Sequence, residues 1–152
     1  MTFVRDSAMG RRLIESLYAE AMLLADEARS YFDDAGRGER EQLDPLRRVT
    51  FSCESLKVTT RLMHAIAWLL TQRAVLAGEI LHLDALHPSR RLGAAPETEA
   101  AVLAGLPEGA RALIRASRAL HRRVARLDVA QARMPVTTSP ALSMIERLER
   151  SF

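Results

Sequence analysis

A chain of 152 residues has room for about one domain, which excludes an enzyme assembled from separate cofactor and substrate lobes. Apolar residues make up 48% and charged residues 27%, with aromatics at only 5%; this is the composition of a globular chain rich in alanine, leucine and arginine, and it favours helix over strand. The net charge of +3 rests on 21 arginines and the single lysine Lys57, unevenly placed: residues 1–43 hold six basic and nine acidic side chains, and residues 106–152 hold nine and four.

Arg5, Asp6, Arg11 and Arg12 interrupt the first residues, so no signal peptide is expected there. From about Gly10 to Asp34 the apolar residues Leu13, Leu17, Ala21, Leu24, Ala28 and Tyr31 recur at helical spacing, with Ile14, Tyr18 and Phe32 widening the stripe. The charged, glycine-containing stretch from Asp33 to Arg40 predicts a solvent-exposed turn. Asp44 before Pro45 then sets a capping carboxylate ahead of a proline at the first helical position. The helix that starts there meets no further proline or glycine until Gly78, a run of roughly 50 Å. Its longest uncharged stretch, Leu62 to Gln72, is well short of the ~20 residues of a membrane span.

Two apolar lines run along this long helix. Leu46, Val49, Cys53, Leu56, Thr60, Met63, Ala67, Leu70 and Ala74 follow alternating steps of three and four, which reads as the inner line and would bury Cys53 as a small hydrophobe. Leu62, Ile66, Leu69 and Leu76 form a second line beside it. A helix that is apolar on two sides needs partners on two sides, and a homodimer supplies them economically. Leu62, Met63, Ile66, Trp68 and Leu69 are the residues expected in the dimer seam or the core, and Trp68 suits either position. Gly78 is the expected helix stop. Arg61 and Arg73 interrupt the apolar run and have Glu20, Glu27 and Glu54 as candidate partners.

Pro88, Gly93, Pro96 and Gly105 mark residues 79–106 as a long connection with room for a short helix over Glu97–Leu103. Pro107 and Glu108 suit the first turn of a third long helix, whose inner line is Leu113, Ser117, Leu120, Val124 and Leu127. Pro135 and Pro140 end the pattern. The expected organisation is an all-α, antiparallel three-helix bundle with a long central helix over residues 1–132, dimerising. A flexible tail, 133–152, follows, with Leu142, Ile145, Leu148 and Phe152 as the apolar side of a possible short helix.

The search for chemistry finds no nucleophile elbow and no paired-cysteine or His-Glu-x-x-His arrangement among Cys53, His64, His82, His87 and His121. Glu79 precedes His82 at a spacing of three, but only once and beside a break, where a dinuclear bundle site needs two copies. No catalytic residue, metal or cofactor is expected. The distinctive surface feature is the stripe Arg111, Arg115, Arg118, Arg122 and Arg126, spaced by four, three, four and four on the side of the third helix away from its leucines. It is either a solvated polar face or a grip for an acidic protein or for nucleic-acid phosphates. Without interleaved aromatics or a recognition-helix pair, the acidic protein fits better.

The blocks Tyr18–Leu24 with Glu27–Phe32, then Glu54-Ser55 with Thr59–Met63, and Ala67–Val75 ending in Gly78-Glu79-Ile80 resemble the RcdA family, regulators of CtrA degradation in the bacterial cell cycle. The resemblance covers about residues 10–82. It implies a non-enzymatic, cytoplasmic homodimer, with possible recruitment to a cell pole. In that role the chain links CtrA-like cargo to the ClpXP protease primed by a CpdR-like adaptor, with no cofactor. The residues proposed for partner binding are Arg111, Arg115, Arg118, Arg122, Leu142, Ile145 and Leu148. The alternative is a nucleic-acid-associated helical dimer that uses the arginine face.

Overall fold

The computed structural model describes residues 8–133 and 147–151 and is all-α, with no strand among the described residues. Helix α1 spans Ala8–Ser30 and passes through a π-helical turn, Tyr31–Ala35, into α2, Gly36–Glu41. Helix α3 runs over Pro45–Leu76, 32 residues or about 48 Å. Short elements follow: α4 (His82–Ala85), a 3₁₀ turn (Pro88–Arg90) and α5 (Ala100–Ala104). Helix α6 spans Glu108–Arg133. The short helix expected over Glu97–Leu103 thus forms at 100–104.

The Asp44 cap forms as expected, its Oδ1 accepting from the Arg47 N–H at 2.8 Å. At the other end Gly78 has φ +76, the left-handed geometry that a glycine adopts without Cβ strain. The turn expected over Asp33–Arg40 does not form: the chain stays helical to Glu41. Aromatic packing explains this. The Phe32 and Phe51 rings meet edge to face at 5.5 Å, and Tyr31 meets Phe32 at 5.1 Å, so unwinding here would expose the cluster. Gly36 is buried against it, and a Cβ there would lie 2.7 Å from the Tyr31 carbonyl oxygen and 3.3 Å from the Phe51 ring. The residue expected to break the helix is the one that lets the extra π residue fit.

α3 is central, with α1 and α6 packed on it. α1 runs antiparallel to α3: Arg11 Nη1 donates to the Leu76 carbonyl (3.2 Å), Arg73 pairs with Glu15 (3.0 Å) and Phe32 meets Phe51. It is antiparallel to α6 as well, with Glu20 paired to Arg123 (2.6 Å). α3 and α6, however, run in the same direction, since Arg61 reaches Ser117 and Trp68 reaches Asp128. The long connection carries the chain back along the bundle between them.

The core contains Ile14, Leu17 and Ala21 of α1, Val58, Leu62, Ala65 and Leu69 of α3, and Ala110, Ile114, Leu120 and Val124 of α6. The inner line expected for α6 is buried throughout. In α3 the expected order of the two lines is reversed. Phe51, Val58, Leu62, Ala65, Trp68 and Leu69 face the core, while Leu46, Val49, Leu56, Met63 and Leu70 are exposed and Cys53 is exposed rather than buried. The reason lies in Glu54, Arg61 and Gln72, polar side chains that sequence periodicity assigns to water but that the fold buries in internal contacts.

Gly36→Ala is expected to destabilise the protein by about 1–3 kcal/mol through overpacking against a backbone oxygen, lowering the thermal midpoint by several degrees. An unchanged midpoint by circular dichroism would refute the tight-fit account of the π turn.

Candidate functional site

The return segment, residues 91–99, has no regular secondary structure and lies in the seam between α3 and α6. Its backbone polar groups are therefore not satisfied by a helix or a sheet and need other partners. α3 and α6 supply them in order along the seam. The Asp128 carboxylate takes a two-pronged contact from Arg91 (2.8 and 2.9 Å) and also accepts from the indole of Trp68 (2.9 Å). His121 Nε2 meets the Gly93 carbonyl and His64 Nδ1 the Ala94 carbonyl, both at 2.9 Å. Arg61 Nη2 donates to the Pro96 carbonyl (2.9 Å) and Lys57 Nζ to the Glu97 carbonyl (2.7 Å). Lys57, Arg61, His64 and Trp68 step by four, three and four, so one stripe of α3 carries every one of these helix donors except His121 of α6.

Arg61 is fully buried. Its guanidinium also donates to Thr98 Oγ1 (2.6 Å) and Ser117 Oγ (3.3 Å), and Thr98 relays to Glu54 Oε2 (2.6 Å). Burial lowers the Arg61 pKa, and the Glu54 carboxylate opposes that shift. For Arg91, the hydrogen bond to Asp128 raises the pKa against the effect of burial. The pairings expected from sequence are partly replaced. Arg73 pairs with Glu15 and lies over the Tyr18 ring at 4.3 Å, Glu20 pairs with Arg123, and Arg61 reaches Glu54 through Thr98. Trp68 sits inside the bundle, 2% exposed.

Two faces remain available for partners. The first is the outer side of α3, where Leu46, Val49, Leu56, Met63 and Leu70 are 45–77% exposed. Beside it a groove of about 350 Å³ opens between α1 and α3, lined by Ala25, Phe32, Thr59, Leu62, Met63 and Ile66 among others. Of the five residues expected in core or seam, Leu62, Trp68 and Leu69 are buried, Ile66 is half-buried and Met63 faces out.

The second face is on α6. Arg115, Arg122 and Arg126 are exposed and Arg111 and Arg118 half-buried. Arg111 pairs with Glu108 (2.6 Å) and Arg118 faces Glu97 (3.8 Å), with Arg115 also 3.8 Å from Glu108. Arg122 and Arg126 make no ion pair among the described residues. In the tail, residues 147–150 are helical and Leu148 is 56% exposed; Leu142 and Ile145 lie outside the described residues. Among the described residues no group of three or more His, Cys, Asp or Glu is placed to hold a metal ion, and no helix is long and apolar enough to cross a membrane.

The family model "Protein of unknown function (DUF1465)" matches residues 5–152. The crystal structure of RcdA from Caulobacter crescentus CB15 is similar at 32% identity and TM-score 0.67, covering 81% of this chain and 93% of that one. The chain belongs to the RcdA (DUF1465) family. None of the curated proteins matches it. The resemblance read from residues 10–82 is thus a family membership that spans nearly the whole sequence, including the return segment and α6, which sequence inspection left outside it. The signal for that segment was present as Lys57, Arg61 and His64 on one stripe of α3, but their acceptors are backbone carbonyls and carry no residue signature.

Two outcomes test the seam. Arg61→Met leaves Glu54 without its bridged cation and the Pro96 carbonyl without donors, and is expected to cost about 3–5 kcal/mol; adding Glu54→Leu should recover part of that loss in urea titrations. Asp128→Ala removes the acceptor of the sole tryptophan and the anchor of Arg91. A loss of about 2–3 kcal/mol, with red-shifted Trp68 emission, is expected, and native emission at unchanged stability would contradict the anchoring role.

Proposed function

We propose that this protein is a non-enzymatic adaptor of regulated proteolysis, a homodimer that holds CtrA-like cargo near the ClpXP protease once a CpdR-like factor has primed that protease. Raising the local concentration of a substrate is the work such a protein performs, and two modest contacts on one rigid body suffice. The observation that carries the reading is the 32% identity to RcdA over 81% of the chain. The two faces support it: one is apolar and spans the length of α3, and the other is basic along α6. On this reading the bundle comprises residues 1–132 and the C-terminal segment 133–152 is a further contact element, with Leu142, Ile145 and Leu148 as its apolar side. The setting is the bacterial cytoplasm, at the cell pole when the protease is there.

The basic face favours an acidic protein surface over nucleic acid. Glu108 and Glu97 already sit beside Arg111, Arg115 and Arg118, which leaves Arg122 and Arg126 as the pair without a counter-ion among the described residues rather than a stripe long enough to track phosphates. Nucleic-acid binding through five arginines would show a steep salt dependence.

In a reconstituted assay with protease, primer and candidate cargo, the protein is expected to accelerate cargo loss. Arg122→Glu/Arg126→Glu should reduce that acceleration about tenfold or more, as expected for charge reversal at a steering surface, with the fold unchanged by circular dichroism. No acceleration across several cargoes refutes the adaptor reading, and retention on DNA that is lost in the double variant favours the nucleic-acid alternative.

A further inference from the structure

The outer side of α6 carries positive charge that the fold leaves unanswered. From Arg115 onward the exposed residues Ala119, Arg122, Arg126, Val129 and Arg133 step by four, three, four, three and four, the spacing with which one helix face lies along another helix. No acidic residue occurs in α6 between Glu108 and Asp128, and the Asp128 carboxylate is buried and taken by Arg91 and Trp68. Glu108 and Glu97 sit beside the arginines in the first half of the helix, and Glu20 holds Arg123. Arg122, Arg126 and Arg133 are left without an ion pair among the described residues.

Among these cations the surface is indented. A depression of about 370 Å³ is lined by Ala125, Arg126, Val129, Ala130 and Arg133. Ala125 and Ala130 are half-buried and Val129 is 44% exposed, so its apolar lining is methyl groups. Arg126 and Arg133 stand seven residues apart along it, about 10 Å on the helix axis. We propose that this face docks an acidic α-helix of another protein, with one aliphatic side chain seated in the depression and a carboxylate one turn to either side meeting Arg126 and Arg133. The proposal names the partner chemistry of the basic face and rests on the reading of that face as a protein contact.

Side-chain size and charge together select this occupant. Alanine at 119, 125 and 130 lets a second helix approach to about 8 Å, the short end of helix spacing. At that range arginine stems lie along the partner while their planar forks take carboxylates in two-pronged pairs. A free small anion finds no enclosure on the convex side of a single helix. Nucleic acid calls for stacking platforms or for a longer run of free cations than these three, and a lipid surface calls for large apolar side chains where this face has alanine and valine. The strip from Arg115 to Arg133 is about 27 Å long and about 10 Å wide, or about 270 Å² on each partner. That is well under the ~800 Å² per side of a stable complex, so the docked helix is held weakly and exchanges, as the handing-on of a partner requires.

Fluorescence anisotropy with the full-length protein at low salt tests this. The probe is a labelled helical peptide, an alanine–glutamine background carrying one central leucine and a glutamate one turn to either side, and the native protein is expected to bind it. Arg126→Glu/Arg133→Glu should weaken binding about tenfold or more, with helical content unchanged by circular dichroism, and Arg126→Gln/Arg133→Gln should weaken it less. Ala130→Leu fills the depression and leaves every charge in place; it should weaken the leucine peptide about tenfold and leave a peptide with alanine for leucine unaffected. Absence of binding, or binding that neither the leucine nor Ala130→Leu affects, overturns the proposal. Retention of duplex DNA tighter than that of the peptide, and lost in the double glutamate variant, makes the face a nucleic-acid contact and overturns it too, as does self-association that the same variant abolishes. The measurement needs no protease. Peptide binding without cargo acceleration therefore removes the adaptor reading alone, and cargo acceleration without peptide binding removes this docking site alone.

Discussion

The parallel run of α3 and α6 imposes the constraint on which the rest of this structure depends. Two helices that share a direction must be joined by a segment that travels the length of the bundle, and here that segment lies in the seam with its carbonyls turned toward the helices. Left without donors, those carbonyls would oppose folding. Lys57, Arg61, His64 and His121 meet four of them, while Arg91 and Trp68 share Asp128. Gly93 is part of this fit, since a Cβ there would come within 2.6 Å of the His64 ring.

The cost of that solution is a buried arginine. Burying a cation is unfavourable unless geometry and further hydrogen bonds compensate, and Arg61 has both: four acceptor contacts on three residues and a carboxylate reached through Thr98. With the α3 side toward α1 and α6 committed to the core and to this ladder, the apolar residues of the opposite side, Leu46, Val49, Leu56, Met63 and Leu70, stay exposed. The exposed apolar line and the donors that hold the return segment thus lie on different sides of the same helix.

Much of the architecture was legible from residue spacing: the Asp44 cap, the stop at Gly78, the start of α6 beside Pro107 and Glu108, and its buried line Leu113 to Leu127. The inversion in α3 was not. An apolar line with Cys53, Ala67 and Ala74 reads as interior by hydrophobicity, and Glu54, Arg61 and Gln72 read as exterior by polarity. Periodicity reports that two apolar faces exist and cannot rank them, because what buries a polar side chain is a partner brought from thirty to sixty residues away. The glycines at 36 and 38 misled for a related reason. A local breaker is outweighed when Phe32 and Phe51 close over it.

Residue order alone thus determined the helical class, the family and the presence of more apolar surface on the long helix than its own chain covers, since each of these follows from local periodicity, capping chemistry or matched blocks. Only the tertiary structure decided which face of α3 is covered, that α3 and α6 share a direction, and that Arg61 belongs inside. Those outcomes depend on backbone carbonyls of the return segment meeting donors on distant helices, and a backbone carbonyl is the same chemical group in every residue.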